Sequence, residues 1–136
     1  MTLTDAGPLI ALASRRDADH ARCVEAARSL PSGPLVSTWP CFTEAMHVLL
    51  RVGGHPAQAA LWTLLVAGRL QLHDFSTNEV DRMAGLMEKY RDRPMDLGDA
   101  SIVVVADTLG TKLVFTLDQD FQIYRLDDGS ALKIVP

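Results

Sequence analysis

Five acidic residues, Asp5, Glu44, Asp96, Asp99 and Asp118, are the groups in this sequence best suited to chemistry. Asp5 and Asp118 each end a short strand-like run, TLT and LVFTL, while Glu44 and the Asp96/Asp99 pair fall in the early turns of helices. In an open α/β sheet these are the positions that line the crevice beyond the carboxyl ends of the strands, so acids remote in sequence can meet there. Two carboxylates about 4 Å apart repel by roughly 4 kcal/mol at an effective dielectric near 20. Such a group must take up protons or be neutralised by a divalent cation. All-oxygen donors favour Mg²⁺ or Mn²⁺ over zinc. An ion of this kind polarises a phosphoryl oxygen and lowers the pKa of a bound water, which suits phosphodiester hydrolysis.

Each acid also has an ordinary structural explanation. Asp5, Asp118 and Asp120 are good turn and loop formers. Glu44 complements a helix dipole, and Asp96 can cap a helix whose acidic first turn Asp99 completes. Singly, none carries the chemical assignment. Thr116, two residues before Asp118, can support that carboxylate through its hydroxyl or simply favour a strand. The histidines (His20, His47, His55, His73) are scattered without ligand spacing, and Cys23 and Cys41 form no CxxC pair. A zinc site is not expected, and nothing demands a disulfide, in keeping with a cytoplasmic location.

The elements that must position these acids alternate. Strands are expected at Thr2–Thr4, Leu35–Ser37, Leu70–Phe75, Leu113–Leu117 and Leu132–Val135. Helices are expected at Leu9–Ser14, Ala18–Leu30, from Thr38 to Gly53-Gly54, at Pro56–Gly68, from Ser76 to about Tyr90, and at Leu97–Leu109 closed by Gly110. Pro56–Gly68 is apolar nearly all round, so it is expected in the core or against a partner, with Trp62 in either role. Alternating strands and helices indicate an α/β domain with a mostly parallel sheet. The 136 residues form one expected domain, 1–136, with no linker or repeat. No stretch is apolar and long enough to span a bilayer. The net charge is −4, from 17 acidic and 13 basic residues. Setting aside the five acids and Asp120 leaves 11 acids against the 13 bases, so an acidic pocket can sit on a mildly basic surface.

Four stretches together resemble the PIN-domain nuclease family, especially its VapC-type toxin branch. LTDAGPLIAL resembles the opening strand with the first metal-binding aspartate, FTEAMHVL the second acidic motif, RPMDLGDASIVVVAD the third and FTLDQDF the fourth. The resemblance implies a Rossmann-like α/β/α sandwich and an Mg²⁺- or Mn²⁺-dependent endoribonuclease. It implies Asp5, Glu44, Asp99 and Asp118 as catalytic metal-binding residues, with Asp96 as a frequent further ligand and Asp120 as a possible accessory. Many relatives carry Ser or Thr two residues after the first aspartate, where this chain has Gly7. Arg91 and Arg93 precede the third motif and can hold RNA phosphates or form a solvated charge cluster. Toxins of this branch typically dimerise and are held inactive by a small antitoxin. The alternatives are a PIN nuclease of RNA processing with no antitoxin, and a non-catalytic RNA- or protein-binding PIN module.

Overall fold

The computed structural model describes residues 1–136. In chain order the elements are β1 (Thr2–Thr4), α1 (Ala6–Ala13), α2 (His20–Arg28), β2 (Leu35–Thr38), α3 (Trp39–Val66) and β3 (Leu70–His73). There follow α4 (Thr77–Lys89), α5 (Leu97–Leu109), β4 (Leu113–Phe115), a 3₁₀ turn (Gln119–Gln122) and β5 (Lys133–Val135). The strands form one sheet in the order β3-β2-β1-β4-β5, with every neighbouring pair parallel. The chain thus builds outward from β1 to β3, then crosses back to lay β4 and β5 on the other side. Strand order reverses between β1 and β4, and a crevice opens beyond the carboxyl ends of strands at such a point. Asp5 and Asp118 follow those two strands.

Helices cover both faces, as a parallel sheet requires. Leu3 pairs with Val36 and Val114, and all three point into the larger core beside Leu9, Leu49, Leu61 and Ile102. Phe115, the next residue of β4, points the opposite way and packs with Ala11 and Cys23. Helix α5 runs through the larger core and buries seven consecutive residues, Ala100–Ala106. That all-round burial matches a run of small and β-branched residues whose one polar member, Ser101, donates its hydroxyl to the Gly98 carbonyl at 2.7 Å. Its ends are fixed by the Asp96/Asp99 capping box and by Gly110, whose φ of 66° is a left-handed conformation that glycine adopts freely. On α4, Glu79 closes a capping box with Ser76 and also accepts bonds from His73 Nε2 and Thr108 Oγ1, both at 2.8 Å. One carboxylate therefore ties α4 to the end of β3 and to α5.

Several boundaries differ from the sequence expectation, each for a local reason. Helix α1 starts at Ala6 rather than Leu9, because Pro8 falls in its first turn, where a missing N–H is harmless. Strand β3 ends at His73 rather than Phe75, where the His73 side chain turns to Glu79. Strand β4 stops at Phe115 rather than Leu117, since the Thr116 hydroxyl accepts the Asp118 N–H at 3.0 Å and bends the chain. The break expected at Gly53-Gly54 is present within α3. Gly54 (φ 67°, ψ −161°) kinks the helix, and Pro56 opens a second helical run at once. That second run buries Leu61, but Trp62 is 45% exposed and Val66 85% exposed, so it is one-sided rather than buried all round. Trp62 is no core residue; it stands edge-on to Phe42 with ring centroids 5.0 Å apart. No helix is long and apolar enough to cross a membrane.

Candidate active site

Asp5, Glu44, Asp96, Asp99 and Asp118 line a single cleft of about 560 Å³. Each arrives by a different route. Asp5 is extended (φ −88°, ψ −171°) at the junction of β1 and α1, and its N–H continues the sheet by donating to the Phe115 carbonyl at 3.3 Å. Its side chain makes no capping bond to α1, so the turn-former reading does not account for it. Instead Oδ2 accepts the Thr116 hydroxyl at 2.7 Å, while Oδ1 is buried without a hydrogen-bond partner. A side chain at Gly7 would begin 3.8 Å from that oxygen; glycine leaves it bare.

Glu44 comes from the early turns of α3, whose start is fixed by the Thr38 hydroxyl accepting the Cys41 N–H at 3.3 Å. Asp96 and Asp99 come from the mouth of α5. The Asp99 N–H donates to Asp96 Oδ1 at 2.8 Å, so the capping role read from sequence is real and engages only that oxygen. Gly98 lies between them. A Cβ there would stand 3.3 Å from Asp96 Oδ1, 3.5 Å from Cys41 Sγ and 3.7 Å from Glu44 Oε2, so glycine keeps open a space bordered by two of the acids. Asp118 begins the 3₁₀ turn, accepting the Asp120 N–H at 2.9 Å.

Burial and crowding act on these groups together. Burial pushes the Asp5 carboxyl up to about 7; the Thr116 bond opposes this, and the charges of Asp99, Asp118 and Glu44 add to it. Asp99 also rises to about 7, through burial and the neighbouring Asp96 charge, against a bond from Tyr124. Burial and Asp96 raise Glu44 as well. Cys41 on the cleft wall is held as a neutral thiol, its pKa pushed up to about 12 by burial. The cleft is therefore a partly desolvated, all-carboxylate site short of positive charge.

The structure does not bring every candidate together. Asp120 does not line the cleft. Arg91 and Arg93 are exposed and also lie outside it, and Arg91 is engaged with Glu88 at 3.0 Å. Thr116, by contrast, bridges two of the acids. Tyr124 was not legible as a site residue, yet its hydroxyl donates to Asp99 Oδ2 at 2.9 Å. A lone tyrosine in a loop gives no spacing signal for a contact made 25 residues away.

The family model described as PIN domain matches residues 2–127. The chain belongs to the PIN-domain family. A curated relative, ribonuclease VapC26 of Mycobacterium tuberculosis (strain ATCC 25618 / H37Rv), is 28% identical over 135 residues, covering 98% of this chain and 99% of the relative. The fold matches the crystal structure of Mycobacterium tuberculosis VapC20, a sarcin-ricin loop cleaving toxin, with a TM-score of 0.82 at 18% identity over 90% of this chain and 94% of that one. It also matches a toxin-antitoxin complex from Klebsiella pneumoniae, with a TM-score of 0.65 at 21% identity over 89% of this chain and 90% of that one. The α/β sandwich expected for a PIN domain is the fold observed, with its sheet strands parallel throughout.

The residues fit a hard divalent cation on two observations. A buried carboxylate oxygen, Asp5 Oδ1, lacks any partner, and Gly98 keeps open a space that a Cβ would fill. No three His, Cys, Asp or Glu side chains converge tightly enough to form a ready-made ion cage; the acids line the walls of an open cleft. Thr116 is placed to orient Asp5 and brace Asp118 at once. Thr116→Val is expected to lower kcat/KM for RNA cleavage about 10- to 100-fold, as losses of ligand-orienting contacts do, with Thr116→Ser retaining most activity. Wild-type activity in Thr116→Val would assign Thr116 to packing alone.

Proposed function

We propose that this PIN domain is an endoribonuclease hydrolysing RNA phosphodiester bonds with Mg²⁺ or Mn²⁺, and that it is the toxin of a toxin–antitoxin pair. The observation that carries the catalytic reading is Asp5, whose carboxylate keeps one oxygen buried and unpartnered and which lines a cleft with four further acids. Asp5, Glu44, Asp99 and Asp118 would hold the ion, with Asp96 contributing the oxygen its capping bond leaves free. Bound there, a divalent ion supplies Lewis-acid polarisation of a phosphoryl oxygen and a water of lowered pKa. The chain's own part is positional. Thr116 fixes the Asp5 carboxylate, and the α5 capping box fixes Asp96 relative to Asp99. Asp5 and Asp99 exchange protons near neutrality and must release them for the ion to bind. Arg93, exposed in the loop leading to Asp96, is the better placed of the two arginines to meet an RNA phosphate, because Arg91 is paired with Glu88.

The relatives support the toxin reading through their names: one is a ribonuclease, one a loop-cleaving toxin, and one is held in a toxin-antitoxin complex. An antitoxin needs an apolar surface to grip. A cavity of about 550 Å³ among α1, α2 and α3, where Leu12, Val24, Leu30 and Leu64 stand beside Arg28 and Arg69, offers a mixed apolar and basic one and supports that part of the proposal. The half-exposed Trp39 and Trp62 on α3 support a homodimer contact. The deciding experiment maps cleavage of RNA by the purified protein with Mg²⁺, with Mn²⁺ and with EDTA. Discrete cleavage products are expected with either ion and none with EDTA. The same products in EDTA would overturn the metal-dependent reading.

A further inference from the structure

Tyr124 has no exposed surface, yet its hydroxyl reaches the cleft wall and donates to Asp99 Oδ2 at 2.9 Å. The Asp96 N–H falls on the same oxygen at 3.4 Å. Both bonds therefore converge on Oδ2, and neither engages Oδ1. The phenol is itself held. Its ring stands edge-on to Tyr90 and to Phe121, with centroids 5.1 and 5.5 Å away. Tyr90 is anchored in turn, its hydroxyl accepting the Arg125 N–H at 3.0 Å. The 3₁₀ turn between Asp118 and Tyr124 makes the arrangement economical in chain length. One short segment carries an acid into the cleft at its start and, past its end, the donor that orients a second acid from α5.

We propose that Tyr124 is a positioning residue: it fixes the Asp99 carboxylate so that Oδ1 is presented to the ion, and it acts only through Asp99. This inference rests on the divalent-ion reading of the cleft. A carboxylate with one oxygen pinned by two donors has lost most of its freedom to rotate before the ligand arrives, which is how outer contacts strengthen metal sites. Tyr124→Phe removes the hydroxyl and keeps the packed ring. Calorimetric titration of the full chain with Mn²⁺ alone is expected to show the dissociation constant rising about 10- to 100-fold, with the cleavage rate recovering as Mn²⁺ is raised. Tyr90→Phe keeps the ring against Tyr124 and the donor to Asp99 while freeing the Arg125 N–H, so its loss of Mn²⁺ affinity is expected to be clearly smaller than that of Tyr124→Phe. Unchanged Mn²⁺ affinity in Tyr124→Phe, or an equal loss in Tyr90→Phe, would reduce Tyr124 to a packing residue. Wild-type protein that binds no Mn²⁺ would overturn the ion reading itself, and this inference with it.

Discussion

Asp5→Asn is expected to abolish RNA cleavage and, at about pH 8, to raise the thermal stability of the cation-free protein. The two effects have one cause. Asparagine keeps the shape of the side chain and can still accept the Thr116 hydroxyl that Asp5 accepts at 2.7 Å, so the fold has no reason to change. It removes the negative charge that an ion would require. Losing several kcal/mol of transition-state stabilisation corresponds to a rate decrease of about 1,000-fold or more. The same charge is a burden without the ion, because burial and three neighbouring acids raise its carboxyl to about 7. Relief of that burden is offset in part by the new amide, which meets no acceptor where Oδ1 was unpartnered and costs about 1–3 kcal/mol. The net gain is expected to be about 1–3 kcal/mol, or several degrees in melting temperature. Asp99→Asn should lose cleavage similarly, whereas Asp120→Asn, outside the cleft, should stay close to wild type. Full cleavage in both Asp5→Asn and Asp99→Asn would remove the catalytic assignment.

How much of this was legible in the sequence follows from which contacts are local. The Asp96/Asp99 capping box and the Thr38 cap are bonds between residues three apart, and their residue types announce them. The positions of Asp5 and Asp118 beyond the carboxyl ends of two strands were legible because α/β sheets place such loop residues at one edge, although β4 ends two residues earlier than expected. That they stand at the reversal between β1 and β4 is a property of strand order, which no local pattern encodes. The glycine pair in α3 signalled a break, and Gly54 does kink the chain. The helix that resumes at Pro56 was legible as well, from its apolar run, and Leu61 is its buried anchor. Apolar composition overstated the burial of the same segment, since Trp62 and Val66 face outward. Tyr124 marks the limit most clearly: its role exists only because the 3₁₀ turn folds back onto the mouth of α5.

Cation binding and pH should be coupled strongly enough to read from melting curves alone. Asp5 titrates at about 7 in the folded protein against an ordinary value of 3.8, so its folded-state pKa is raised. A group shifted in this direction contributes stability that is fully present below the ordinary value and is lost as pH rises through the folded one. For Asp5 the loss amounts to about 4 kcal/mol across that window, an upper figure, because relaxation and water entry reduce it. Asp99, raised to about 7 but more exposed, adds a smaller loss of the same sign. The cation-free protein should therefore melt at a lower temperature at about pH 8 than at about pH 5.5. Mn²⁺ acts in the opposite sense. At about pH 8 both carboxylates are ionised, and an ion at 100 times its dissociation constant adds about 2.7 kcal/mol. At about pH 5.5 each proton that must be displaced weakens binding by about 30-fold, so the same Mn²⁺ concentration should barely move the transition. In Asp5→Asn the Mn²⁺ shift should be small at either pH, because the ionisable partner is gone. A wild-type melting temperature that rises with Mn²⁺ equally at both pH values would show that the ion does not compete with protons for these carboxylates, and would place it elsewhere on the molecule.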